Sequence, residues 1–114
     1  MKAILLTTLL ALIPLQVHAD FLSGNELVKY MREADKMNAG NPQPQYHEAG
    51  IYGGFVLGVF DTYYTEHRIC PPAGVTGGQA VEIISLYIKS NPVKWNLSAS
   101  ALVGSALKSA FACQ

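Results

Sequence analysis

The sequence predicts an all-α domain: a small, four-helix bundle-like fold with one disulfide, following a cleaved signal peptide. Three observations predict it. Apolar residues recur at three- and four-residue steps in four segments, with no strand-like alternation in any of them. Hydroxyl caps at Ser23, Thr76 and Ser98 open three of those segments, two of them with a capping-box partner three residues on. The four segments are joined by short turns, and 114 residues suffice for a single domain.

The first 19 residues read as the leader. Lys2 supplies a positive charge, 3–15 is almost entirely apolar, and Val17-His18-Ala19 places small residues three before and one before a cut. A membrane anchor would need about 20 apolar residues, and this run stops near 13. No later stretch is apolar enough to span a bilayer, so the mature chain, 20–114, is expected to be soluble and exported. Export gives Cys70 and Cys113 an oxidising surrounding in which a disulfide is the default. Closing a loop of about 43 residues is worth roughly 4 kcal/mol in the chain-entropy model. The rival is a catalytic Cys70 thiol beside His67, which a second cysteine would oxidise.

The first helix is expected from about Gly24 to Met37. Ser23 and Glu26 form its capping box, Leu27, Met31 and Ala34 its buried stripe, and Gly40 lies just past its end. Asn41-Pro42-Gln43-Pro44-Gln45 then excludes helix. The second helix, about Tyr46 to His67, carries Tyr52, Phe55, Val56, Val59, Phe60, Tyr63 and Tyr64 at helical steps. Gly50, Gly54 and Gly58 fall four apart, and Gly53 adjoins them. Interior glycines cost a helix about 1 kcal/mol each relative to Ala. The stripe therefore implies a second backbone packed closely on it, within the domain or across a dimer interface, or else a helix broken near Gly53-Gly54.

Thr76 and Gln79 cap a third helix whose buried face is Ala80, Ile83, Ile84, Tyr87 and Ile88, and Asn91-Pro92 stops it. Ser98 caps a fourth, with Ala99, Leu102, Val103, Ala106, Leu107 and Ala110 on one side and Cys113 just beyond. The disulfide would thus join the end of the second helix to the end of the fourth.

Chemistry is harder to find. Eight Lys/Arg balance eight Asp/Glu, so there is no basic surface for nucleic acid. His47 and His67 would sit about 30 Å apart along one helix and cannot share a metal; no metal, other cofactor or catalytic residue is expected. Asp61, among Val59, Phe60 and Tyr63, is expected to be buried, capping a neighbouring helix or bonding a tyrosine hydroxyl. Gly74-Val75-Thr76-Gly77-Gly78 lacks the lysine and the preceding strand of a phosphate loop and reads as a tight lead into a helix. Trp95, the single tryptophan, lies between Lys94 and Asn96 in a short loop. It reads either as an anchor for a partner or as a lid folded onto the core.

Taken together, Phe21-Leu22-Ser23-Gly24-Asn25-Glu26-Leu27, then Gly54-Phe55-Val56-Leu57-Gly58-Val59-Phe60-Asp61, then Cys70-Pro71-Pro72-Ala73-Gly74-Val75-Thr76-Gly77-Gly78-Gln79, and a closing 98–103 and Ala110-Phe111-Ala112-Cys113 resemble the Rap/Tai family of immunity proteins. The likeness covers nearly the whole mature chain. It implies a periplasmic, helical, often dimeric protein that binds peptidoglycan amidases delivered by type VI secretion and has no catalysis of its own. It also implies occlusion of the amidase cleft by the loop between the last two long helices. Here that loop is Asn91 to Leu97, with Lys94, Trp95 and Asn96 as the contact candidates. One departure concerns a second disulfide, which the family usually carries between its first two helices: Met31 stands where one cysteine is expected, and Tyr52 or a neighbour where the other is.

Two other classes compete. An acid-stress chaperone of the HdeA type is also small, helical, periplasmic and stapled by one disulfide, but it would switch through carboxylates on apolar faces, and few lie there. An enzyme would need a constellation of nucleophile, base and stabiliser that the sequence does not offer.

Overall fold

Ser23 opens the first helix as its spacing to Glu26 requires. In the computed structural model, which describes residues 21–114, Ser23 Oγ accepts from the Glu26 N–H at 3.2 Å, and the Glu26 carboxylate accepts from the Ser23 N–H at 3.0 Å. The expected leader lies outside the described residues. Helix α1 spans Gly24–Asn38. Beyond it Gly40 takes φ +71°, the left-handed region where glycine has no Cβ penalty. The Gly40 N–H reaches the Met37 carbonyl at 3.1 Å and the Asn41 N–H reaches Lys36 at 2.9 Å. These are the two hydrogen bonds of a Schellman stop.

Helix α2 runs from Tyr46 to Thr65 and ends two residues short of the expected His67. The reason is another Schellman stop, built without glycine. His67 adopts φ +55°, its N–H reaches the Tyr64 carbonyl at 3.0 Å, and the Arg68 N–H reaches Tyr63 at 2.8 Å. The helix passes unbroken through Gly53-Gly54, so the break does not occur. Nor does another backbone among the described residues approach the stripe: a Cβ built on Gly50, Gly53, Gly54 or Gly58 would meet nothing within 4 Å. Close packing of the stripe within the described domain, like the break, is therefore not what the structure has.

Thr76 caps α3 (Gly77–Ser90) with the reciprocal bonds to Gln79 that the sequence implies, and Gly74, at φ +87°, makes the tight turn before it. A short 3-10 turn, Pro92–Lys94, leads to α4 (Ala99–Ala110), capped by Ser98. No described helix is long and apolar enough to cross a membrane. Among the described residues the extended pairing is limited to one isolated antiparallel bridge, Ser23 with Ser98.

Helix α4, like α2, touches the other three, and its Leu102, Val103, Ala106 and Leu107 are fully buried in one cluster with Leu27, Val56, Ile84 and Ile88. Each large aliphatic side chain buried this way contributes about 1.5–3 kcal/mol. Small residues let the helices close. A Cβ on Gly104 would collide with the Tyr63 hydroxyl, so glycine there lets that ring lie against α4 without shifting. Cys70 and Cys113 form the expected disulfide, with Cα atoms 4.9 Å apart. Alongside it the Cys70 N–H donates to the Phe111 carbonyl at 2.8 Å.

Candidate functional site: the Asn91–Leu97 loop

Proline after Asn91 forbids continuation of α3, because its ring excludes helical backbone at the preceding residue. Asn91 turns instead at φ −128°, ψ 57° and folds its side chain back, its amide donating to the Tyr87 carbonyl at 2.8 Å. The 3-10 turn closes with the Trp95 N–H on the Pro92 carbonyl at 3.1 Å, and the Leu97 N–H reaches the Lys94 carbonyl at 3.1 Å. Seven residues thus form a compact, internally bonded projection.

The three expected contact residues are not equivalent. Trp95 is half-buried: its indole N–H donates to the Ile88 carbonyl at 2.8 Å, and the Arg32 guanidinium from α1 lies 5.7 Å from the ring centre. That is the lid among the two readings of this residue. Lys94 is also half-buried, its ammonium donating to the Tyr87 hydroxyl at 2.7 Å and lying 5.3 Å from the ring centre. Asn96 is exposed. Val93, not among the three expected contacts, is 82% exposed, with Pro92 also exposed beside it and Leu97 partly open. Its apolar side chain in a loop gave no sign of its direction, which is set by Lys94 and Trp95 folding back onto Tyr87 and Ile88.

The loop is braced from α1 as well. The Gly24 N–H donates to the Leu97 carbonyl at 2.8 Å, and the Ala99 N–H donates to the Leu22 carbonyl at 3.0 Å. Beside this pairing the Ser23 backbone N–H and hydroxyl hold the Glu26 carboxyl below the usual carboxylate range. At the other end of α1, the Gln45 N–H and Lys36 lower the Glu33 carboxyl in the same way.

The remaining polar residues do not converge. His47 and His67 stand at opposite ends of α2, both exposed. Asp61, expected to be buried, is exposed: its position on α2 turns away from the core and lines a shallow surface groove with Phe60, Tyr64, Pro71 and Pro72. Among the described residues no group of three His, Cys, Asp or Glu could hold a metal. A buried polar contact, Tyr52 with Ser85, is sealed inside the core.

No curated protein and no solved structure matches the chain. A family model, that of the Rap1a immunity proteins, matches residues 23–113, from the first capping serine to the second half-cystine. This is the family the ordered motifs resemble, and it is not that of the acid-stress chaperones. The match takes in all four helices, the disulfide and the projecting loop, and the chain belongs to the Rap1a immunity protein family.

Proposed function

We propose that this chain is a periplasmic immunity protein that neutralises a peptidoglycan amidase delivered by type VI secretion. It acts by seating the Asn91–Leu97 loop in the enzyme's cleft. The observation that carries the reading is the loop itself. Within a family of effector-binding proteins, it presents an open apolar crest at Val93 on a backbone tied down at both ends. A projection held in one conformation loses little entropy on docking, which is how small interfaces reach high affinity. Val93, Asn96 and Leu97 make the outer contacts, while Lys94 and Trp95 hold the shape from beneath. The chain needs no cofactor and turns over no substrate, so inhibition is stoichiometric.

A second copy of the chain covers the exposed glycine stripe of α2, giving a homodimer. Gly50, Gly54 and Gly58, open along one helix face with Gly53 adjoining, let a partner backbone come close, which offsets their cost to the helix.

The test is titration of a peptidoglycan amidase encoded by a neighbouring gene with the purified, disulfide-bonded chain. Inhibition should be complete at one chain per enzyme. Val93→Asp should weaken it by about tenfold or more while leaving thermal stability unchanged, because the side chain is in solvent in the free protein. If the wild-type chain neither binds nor inhibits any such amidase, the reading fails.

A further inference from the structure

Gly24, at the start of α1, lies directly against the loop's backbone. A Cβ on Gly24 would lie 2.6 Å from the Trp95 carbonyl oxygen and 2.7 Å from that of Leu97. Carbon–oxygen contacts that short do not persist, and both obstacles are backbone, which cannot swing aside as a side-chain tip can. The Gly24 φ is not positive, so the requirement for glycine is steric and not conformational.

Something must move when a Cβ is added, and the neighbours decide what. The Gly24 side is fixed by the Ser23–Glu26 capping box and by Leu27 and Val28, which are buried in the core. Residues after the loop are fixed by the Ser98 cap and the buried Ala99. The chain between, ending in Trp95 and Leu97, holds no buried residue and is tied to the rest of the fold by the indole bond to Ile88, the Asn91 and Lys94 side-chain bonds to Tyr87 and the one backbone bond from Gly24 to Leu97. The loop is therefore the part that shifts.

We infer that Gly24, paired with Leu97 through its backbone, is a positioning residue that sets the conformation in which the Asn91–Leu97 loop is presented to its partner. The clamp itself follows from the geometry, and its importance for recognition rests on the function proposed above.

Trp95 is the only tryptophan, so its fluorescence reports the loop directly. Gly24→Ala should keep far-UV helicity and the disulfide, yet shift Trp95 emission to longer wavelength and raise its quenching by acrylamide. A merely structural loss of stability would not change the emission of the folded state. Against the neighbouring-gene amidase the same variant should inhibit about tenfold less well. Gly50→Ala, whose Cβ meets nothing within 4 Å, should leave the emission unchanged.

If Gly24→Ala does not fold, amide hydrogen exchange of the wild-type chain serves in its place: the Gly24 N–H, at the first helical position, has no acceptor in its own helix, so its donation to the Leu97 carbonyl should slow its exchange, and free exchange would overturn the clamp. Unchanged Trp95 emission and quenching in the folded variant would overturn the clamp. A shifted Trp95 with full inhibition would overturn its role in recognition. A wild-type chain that inhibits nothing defeats the proposed function, while the fluorescence comparison still decides the clamp.

Discussion

The Tyr52 hydroxyl meets Ser85 Oγ at 2.6 Å inside the core, joining α2 to α3 across a buried polar contact. Ser85 uses its own proton on the Val81 carbonyl at 2.8 Å, so Tyr52 is the donor and Ser85 the acceptor. Burial pushes the tyrosine up to about 12, because the phenolate would lose its hydration there. The folded state then holds its proton where the unfolded chain gives it up, so stability is unaffected below about pH 10 and falls as pH rises towards 12. Tyr52→Phe should cost about 1 kcal/mol in urea unfolding at pH 7. It should also flatten the alkaline fall; a variant as alkali-sensitive as the wild type would show that another group is responsible.

At the acid end the sign reverses. Glu26 and Glu33 are lowered by hydrogen bonds made only in the folded chain, first from the backbones of Ser23 and Gln45 respectively. Their contribution is present above the ordinary carboxylate range and is lost as pH falls through the lowered values. Urea midpoints measured from pH 6 down to pH 2 should decline, and Glu26→Gln should decline less steeply. Because Glu26 closes the capping box next to the Gly24–Leu97 pairing, acid should loosen the loop's brace before the core, seen as early exposure of Trp95.

The α2 glycines give opposite results in two measurements. Gly54→Ala adds a methyl to open space within a helix, so each folded chain gains up to about 1 kcal/mol. If a partner helix lies on the stripe, the same methyl blocks it. Sedimentation should therefore show Gly54→Ala shifted towards monomer while its thermal transition at low concentration rises.

Removing the cross-link should be costly. Reduction, or Cys70→Ser with Cys113→Ser, frees a loop spanning 43 residues of sequence and should cost roughly 4 kcal/mol in the chain-entropy model. That is a large share of the stability of any small domain. Thermal melts with and without reductant check it.

Much of the architecture could be read from the sequence because local chemistry marks it. Ser23–Glu26 and Thr76–Gln79 fix two helix starts to the residue, Gly40 fixes an end, and Asn91-Pro92 fixes another. The end of α2 was less legible, since a histidine in left-handed backbone carries no glycine to announce it. Asp61 misled because its apolar neighbours suggest burial, whereas the direction a helical residue faces is settled by which other helices arrive. The close approaches of glycine within the domain were illegible for a related reason. Regular spacing drew attention to α2, yet the two that adjoin other parts of the chain most closely are Gly24 and Gly104, each alone in its segment and distinguished only by tertiary contacts. The loop's location was legible, but not that Trp95 turns inward and Val93 outward, because that depends on Ile88 and Arg32 being in place to receive the indole.

Cys113 lies just past one end of α4 and the loop just before the other, so about 18 Å of rigid helix separates the covalent bond from the crest. Under the proposed function, durability and partner choice belong to opposite poles. Val93 and Asn96 are both exposed and neither side chain supports the interior, so repeated replacement there should leave the scaffold undamaged.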